Sequence, residues 1–191
     1  MQFSIRRQQI PWALAGVRAA LGPILIAGAQ CNWSGMALAA MVLGAAVSDI
    51  YDGVLARRWK CDTAGVRLFD TVADTIFYFC AGMGLWLARP EIFRKNAALL
   101  LVVLAMEAFH FGFDYSKFGK PASYHSWLAK SWGVVLATSL VVALATPFGS
   151  GMITLSLIVG IACKAEGLAM SFLLKEWERD VRTLATAWAL R

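Results

Sequence analysis

Charged side chains are scarce in this sequence, and that scarcity limits the class of protein it can encode. Only 16% of the residues are Asp, Glu, Lys or Arg, against about 25% in soluble domains. Hydrophobic residues make up 59%, whereas a soluble domain has about 45–50%. Both values predict a membrane protein. The formal net charge of +6 then indicates loops that face anionic lipid headgroups, and we expect no nucleic-acid partner.

Closely spaced cysteines are also missing. The chain has four cysteines that never form a Cys-x-x-Cys pair: Cys31, Cys61, Cys80 and Cys163. This spacing gives neither a zinc signature nor a disulfide framework, so we expect buried free thiols. A cleaved signal peptide is not expected either, because Arg18 interrupts the apolar run that follows the N-terminal arginines.

The sequence is instead rich in long apolar runs. A helix needs about 20 mostly apolar residues to cross the hydrocarbon. Six runs qualify, at 11–29, 35–56, 66–88, 97–115, 130–147 and 151–174. We therefore predict an all-α integral membrane bundle of six transmembrane helices, forming one domain over 1–191, with a short interfacial helix at 1–10. The tail at 175–191 has apolar residues at helical spacing, which predicts an amphipathic cytoplasmic segment along the membrane surface.

The distribution of basic residues predicts the orientation of this bundle. Lysines and arginines occur before the first run, in the second and fourth connections, and in the C-terminal tail. The positive-inside rule places those four segments in the cytoplasm. Arg89, Arg94 and Lys95 in the third connection are an exception to this pattern. We expect both termini to be cytoplasmic and the membrane to be a bacterial inner membrane.

Four aspartates lie at the ends of two apolar runs. Asp49 and Asp52 are three residues apart near the end of the second run, and Asp70 and Asp74 are four apart near the start of the third. These spacings place each pair on one face of its helix, so neighbouring antiparallel helices would aim all four at one point. Carboxylates in membranes are rarely without function, and we predict a site for Mg²⁺ or Mn²⁺ with two ions. Asp62 is interpreted as part of a solvated loop.

Small residues accompany this acidic cluster. Ala56 shares a helix face with Asp49 and Asp52, and Gly53 lies beside that face, which leaves room for a bulky group to approach the backbone. Arg57 follows Gly53 by one helical turn and can reach a phosphate with its forked donors. The pattern therefore predicts phosphoryl chemistry beside the acidic cluster.

These positions resemble the signature of the CDP-alcohol phosphotransferase family, which reads Asp-x-x-Asp-Gly-x-x-Ala-Arg, then a Gly, then Asp-x-x-x-Asp. The matching residues are Asp49, Asp52, Gly53, Ala56, Arg57, Asp70 and Asp74. The upstream segment IPWALAGVRAALGP is similar to the family's first helix. One departure is Val66, which stands where the family has glycine, while Gly65 is one residue early.

The resemblance, in particular to phosphatidylglycerophosphate synthases, implies a homodimer of six-helix subunits. It implies transfer of a substituted phosphate from CDP-diacylglycerol to an alcohol acceptor, with release of CMP. Asp49, Asp52 and Asp70 would be metal ligands, and Asp74 would be the catalytic base that also contacts a metal. The CDP donor would be bound by Asp52 together with the Gly, Ala and Arg of the signature, namely Gly53, Ala56 and Arg57.

The acceptor is left open by these motifs. Arg67, Lys120 and Lys130 lie on the expected cytoplasmic side, and as candidate phosphate ligands they favour glycerol 3-phosphate. An inositol, an inositol phosphate, serine or another lipid remains an alternative acceptor. A magnesium-dependent membrane prenyltransferase and an ion transporter are alternative functions, but the fixed offsets of the signature and the clustering of the aspartates at one membrane edge favour the CDP family.

Further polar residues occur in the later runs, and two interpretations of them stay open. They are Glu107, His110, Asp114, His125, Lys164 and Glu166. One interpretation is an acceptor pocket opposite the aspartates. The other is structural pairing inside the bundle, for example of Glu107 with Arg18 or Lys164.

Overall fold

The computed structural model describes residues 2–58 and 64–191. Within these residues the chain forms seven helices and no strand, which confirms the all-α prediction. The helices are α1 (Gln2–Gln30), α2 (Gly35–Arg58), α3 (Ala64–Ala88), α4 (Pro90–Phe118), α5 (Trp127–Ala145), α6 (Gly149–Leu173) and α7 (Leu184–Ala189).

The membrane character of the bundle is confirmed by its helices. In the described part of the chain, five stretches are long and apolar enough to cross a membrane: Trp12–Gln30, Phe69–Ala88, Pro90–Phe118, Trp127–Ala145 and Gly149–Leu173. Among the described residues the second helix contributes a shorter apolar stretch, Gly35–Tyr51. The chain is therefore an integral membrane protein. The predicted interfacial helix at 1–10 and the first span are continuous within α1.

Local sequence signals explain where several helices begin. Ser34 precedes α2 and its Oγ accepts a hydrogen bond from the Ala37 amide at 3.2 Å. Ser126 caps α5 in the same way, with its Oγ 3.1 Å from the Ala129 amide nitrogen. Pro90 is the first residue of α4, a position where its missing N–H is not needed. The sequence placed the start of that helix at 97, because the polar residues that follow Pro90 obscured its first two turns.

The chain divides into two compact units, the first comprising Met1–Glu91 and Leu140–Gly149. In this unit α1 packs against α2 and α3. Gly22 lets α1 approach α3 closely, since a Cβ at that position would lie 3.0 Å from the Cβ of Cys80. Gly84 plays the same part on α3, because a Cβ there would overlap the buried side chain of Leu25. Small residues at a helix interface are the usual means of close packing in membranes.

The second unit comprises Ile92–Ser139 and Ser150–Arg191, and in it the C-terminal tail folds back onto the α4–α5 connection. The Asp180 amide donates to the Ser123 carbonyl at 3.0 Å, and the Trp127 amide donates to the Arg182 carbonyl at 3.2 Å. Val181 is buried in the cluster that anchors the tail. The only helix in this described tail is α7. The helical spacing of the apolar residues before residue 184 therefore did not correspond to a helix. That the tail lies along the membrane surface stays a prediction.

The thiols fit the sequence prediction in part. Cys80 and Cys163 are buried free cysteines. Cys31 is exposed, so the prediction of burial was wrong there, because this residue follows the last turn of α1. Cys61 lies outside the described residues.

Candidate active site

Two helices of the first unit bring three of the predicted aspartates together. Asp49 projects from α2, and Asp70 and Asp74 project from α3, one turn apart. Each offers a carboxylate oxygen, and these oxygens all lie within 4.8 Å of one another. The side chains are partly buried, with exposed fractions of 39%, 35% and 30%. The arrangement provides hard oxygen ligands at one point, which is the donor set that Mg²⁺ and Mn²⁺ prefer.

A buried arginine from α1 lies at the same point. The side chain of Arg18 is 1% exposed, and its Nη1 donates to Asp49 Oδ1 at 2.8 Å and to Asp70 Oδ1 at 3.1 Å. The same nitrogen also donates to Asp74 Oδ1. One guanidinium offsets one of the three negative charges if all three carboxylates are ionised. The remaining negative charge leaves the cluster attractive to further cations.

The partner of Arg18 was not identified from the sequence. The sequence offered Arg18 or Lys164 as the partner of Glu107, and the structure shows the second alternative, in which the Glu107 carboxylate pairs with Lys164. One sequence signal could have identified the partners of Arg18: three clustered carboxylates in an apolar bundle require a buried cation nearby. Arg18 lies in the segment of α1 that packs on α3, where it meets this need.

Several predicted site residues have side chains outside the described part of the structure. These are Asp52, Ala56, Arg57 and Arg67. The α2 backbone includes the first three of them, and Gly53 lies in the same helix. Asp62 falls within 59–63, which lies outside the described residues. The roles of these positions in binding the donor or the acceptor stay predictions.

The one departure from the family signature lies at the start of α3. Gly65 and Val66 both belong to the first turn of this helix. A Cβ added at Gly65 would lie 3.7 Å from the ring of Trp12, which is an ordinary van der Waals distance. Among the described residues, packing therefore does not require a glycine at 65, and the one-residue displacement leaves the helix intact.

The two described acceptor candidates belong to the second unit. Lys120 and Lys130 are exposed, and each ammonium lies over an indole ring. Lys120 Nζ is 3.8 Å from the ring centroid of Trp177, and Lys130 Nζ is 4.9 Å from that of Trp127. Such cation–π contacts hold an ammonium in place while leaving its N–H donors available.

The polar residues of α4 and α6 are paired with one another in the second unit. His110 Nε2 lies 3.0 Å from Ser171 Oγ and 3.2 Å from Asp114 Oδ2. The Ala122 amide donates to Asp114 Oδ2 at 3.0 Å, and the Tyr124 hydroxyl lies 2.8 Å from Ser171 Oγ. These contacts tie the α4–α5 connection to both helices.

A hydrogen bond also joins the start of α5 to α6. The Ser126 hydroxyl donates to Glu166 Oε2 at 2.7 Å. Together with the pairing of Glu107 and Lys164, these contacts favour a structural role for the polar residues of the later spans. His125 is exposed and has a positive φ of 50°. It lies in the connection between α4 and α5.

Comparison with known proteins identifies a family that matches this chain. A sequence model of the CDP-alcohol phosphatidyltransferase family matches residues 8–165, which includes all three clustered aspartates and Arg18. No curated protein and no solved structure shows significant similarity to the chain.

Proposed function

The chain belongs to the CDP-alcohol phosphatidyltransferase family, and from this premise we propose that it transfers a phosphatidyl group from CDP-diacylglycerol to glycerol 3-phosphate. The coarser activity follows from the family: it is a transferase of lipid synthesis that acts on a CDP-alcohol and an alcohol acceptor in a membrane. The observation that carries the finer proposal is the convergence of Asp49, Asp70 and Asp74 at one point within the family's signature.

The donor set fits divalent cations, on which the family generally depends. We propose that Asp49, Asp52, Asp70 and Asp74 bind two Mg²⁺ or Mn²⁺ ions. Their carboxylate oxygens are hard ligands, and the three described side chains approach one another closely enough to share an ion. The chemistry that such ions supply is neutralisation of the donor's diphosphate.

The residues of the chain position the reacting groups. In our proposal Asp74 removes the proton from the acceptor hydroxyl, for which it must come within about 3 Å of that group. The acceptor oxygen then forms a bond to the phosphorus that carries diacylglycerol, while the bond from that phosphorus to CMP breaks and CMP leaves. Gly53, Ala56 and Arg57 hold the CDP part beside Asp52.

Basic residues support a phosphorylated acceptor. A second anion next to the donor's diphosphate would be repelled unless fixed cations compensate its charge. Lys120 and Lys130 present exposed ammonium groups, and Arg67 lies in the first turn after the start of α3. We assign these three residues to the acceptor phosphate.

The reaction is tested with purified protein, labelled CDP-diacylglycerol and a panel of acceptors: glycerol 3-phosphate, inositol, inositol phosphate and serine. We expect release of CMP with glycerol 3-phosphate, and loss of turnover when EDTA removes divalent cations. Pyrophosphate release with a prenyl donor would contradict the proposal in favour of a prenyltransferase. Turnover with inositol phosphate and not with glycerol 3-phosphate would correct the acceptor alone.

The acceptor site has its own test in steady-state kinetics of Lys130→Gln and Arg67→Gln. A charge-assisted contact to phosphate contributes about 1.5–3 kcal/mol, so each change should raise the KM for the acceptor by about 10- to 150-fold. The KM for the donor should change far less. Lys95→Gln is the control, because Lys95 is an exposed lysine near the start of α4 on the opposite predicted side. An unchanged acceptor KM in both site variants would count against a phosphorylated acceptor held there.

The assembly and location belong to the same proposal. We propose a homodimer in a bacterial inner membrane, with both termini and the active site on the cytoplasmic side. The resemblance to the family supports the dimer, and the distribution of basic residues supports the orientation.

A further inference from the structure

The Nη1 atom of Arg18 occupies the point at which the carboxylates of the active site converge. It lies within hydrogen-bond distance of Oδ1 of Asp49 and of Asp70, and it donates to Oδ1 of Asp74. The same three residues are those whose oxygens are close enough to ligate one ion. A divalent cation such as Mg²⁺ requires ligand oxygens at about 2.0–2.1 Å. The guanidinium nitrogen and such a cation therefore cannot share this position.

We propose that Arg18 is an internal counter-ion of the active site, which holds the carboxylates together without metal and competes with the first divalent cation for them. The inference rests on the proposed function, because it concerns the same metal site. Arg18 is a positioning residue in this scheme, since it acts through the three aspartates.

The helix arrangement explains why a counter-ion is needed. Arg18 is on α1, Asp49 is on α2, and the other two aspartates are on α3, so its contacts join three helices. Without a cation between them, three partly buried carboxylates would repel one another and separate α2 from α3. A cation carried by the fold itself keeps these helices together whether or not metal is present.

The same contacts oppose metal binding. A divalent cation that enters must displace a guanidinium that makes charge-assisted hydrogen bonds, which are stronger than neutral ones. Part of the free energy of metal binding is therefore used to break the Arg18 contacts. Removing Arg18 should have two opposite effects: a less stable metal-free protein, and tighter binding of the metal.

The experiment compares Mn²⁺ binding and thermal unfolding in wild-type protein and in Arg18→Gln. Losing one charge-assisted contact corresponds to about a tenfold change or more in an equilibrium constant, so Mn²⁺ should bind the variant about tenfold more tightly or better. In EDTA the Tm of the variant should be lower than that of the wild type. Addition of Mn²⁺ should raise the Tm of the variant by more than it raises that of the wild type.

Arg89→Gln is the matched control within the same unit. Arg89 Nε donates to Glu91 Oε1 at 2.5 Å, in the short connection between α3 and α4. Its loss should lower the Tm of the metal-free protein without changing the affinity for Mn²⁺. Tighter Mn²⁺ binding in both arginine variants would reflect a general charge effect and would overturn the specific role of Arg18.

Two further measurements decide the question if Arg18→Gln does not fold. Arg18→Lys keeps the positive charge but loses the planar fork, and it should bind Mn²⁺ more tightly than wild type by a smaller factor. In wild-type protein the guanidinium NMR signal of Arg18 should shift on saturation with Mg²⁺, while that of Arg89 should not. Equal or weaker Mn²⁺ binding in Arg18→Lys, or an unshifted Arg18 signal, would overturn the inference.

The outcomes also separate this inference from the proposed function. Wild-type protein that turns over substrate in EDTA and binds no Mn²⁺ would overturn both the metal site and the counter-ion. Wild-type protein that binds Mn²⁺, with equal or weaker binding in Arg18→Gln, would overturn the counter-ion alone.

Discussion

At the scale of single residues, the two aspartates on α3 have different predicted roles although they lie one turn apart. Asp70→Asn should abolish activity and weaken Mn²⁺ binding, because Asp70 is a proposed metal ligand. Asp74→Asn should lower kcat by about 10²- to 10⁴-fold, the usual contribution of a general base. It should keep more of the affinity for Mn²⁺ and for the CDP donor. Turnover as CMP release and Mn²⁺ titration measure the two effects separately.

Asp62→Asn is the matched control for this pair. Asp62 precedes α3 in the sequence and falls outside the spacing of the clustered aspartates. Its substitution should leave both turnover and metal affinity nearly unchanged. If Asp70→Asn and Asp74→Asn weaken Mn²⁺ binding equally, the division into ligand and base is wrong. If Asp62→Asn is inactive, the site has been placed incorrectly.

The sequence predicted the convergence of three aspartates but not the arginine that contacts them, for a physical reason. Asp49, Asp70 and Asp74 lie at spacings that fix their helix faces, and short connections make their helices neighbours, so local rules were enough. The partner of Arg18 depends on how α1 docks against α3, which is decided by contacts such as that of Gly22 with Cys80. No local pattern in the sequence encodes that docking.

At the scale of the helices, the close approach of α1 to α3 is expected to depend on Gly22. A side chain there would meet Cys80 Cβ at 3.0 Å, its Sγ at 3.1 Å and the Phe77 backbone at 3.4 Å. Gly22→Leu should destabilise the protein by about 1–3 kcal/mol, the usual cost of overpacking. Because α1 carries Arg18, the substitution should also weaken the contacts of Arg18 with α3. Unfolding in a denaturing detergent series measures the loss.

Gly16→Leu on the same helix is the control for this prediction. A Cβ at Gly16 meets no atom of the described residues within 4 Å, so a leucine there should be tolerated. The two variants have the same change in helix propensity and the same added volume. Equal destabilisation by both would show that helix packing at Gly22 is not the cause.

The C-terminal tail offers a second matched pair, in α7. Ala187 is fully buried against the cluster that includes Tyr124 and Met170, whereas Ala185 is exposed. Ala187→Asp should release the tail, because an unpaired carboxylate would be buried. Ala185→Asp should leave it docked. Trypsin should therefore cleave the tail faster in the first variant, and equal cleavage rates in both would contradict the observed docking.

Helix bounds show where the sequence was informative at this scale. The start of α2 was predicted at residue 35, where the helix begins, because the apolar run starts there; the structure adds that Ser34 caps this helix. The first turns of α4 were missed, because Glu91, Arg94 and Lys95 make them too polar to resemble a span. The tail was misjudged for a different reason: a few apolar residues at helical spacing also fit an extended segment that packs on a core.

At the scale of the whole molecule, the arginine that contradicted the positive-inside pattern has an explanation in the structure. Arg89 Nε donates to Glu91 at 2.5 Å. Its Nη1 donates to the carbonyls of Ala143 and Thr146, at 3.4 and 3.3 Å, near the end of α5. Its positive charge is compensated by a carboxylate and by the negative end of a helix dipole. Arg89 therefore carries little weight in the orientation, and both termini are predicted to be cytoplasmic.

The native cysteines allow this orientation to be tested with little change to the protein. Cys31 is exposed after the end of α1, on the predicted outer side, and Cys61 follows α2 in the sequence, on the predicted cytoplasmic side. Cys80 and Cys163 are buried and should react slowly. In intact cells a membrane-impermeant maleimide should label Cys61→Ser, which keeps Cys31. It should label Cys31→Ser, which keeps Cys61, only after the membrane is permeabilised. The reverse pattern would contradict the predicted orientation and would place the aspartate cluster on the outer side of the membrane.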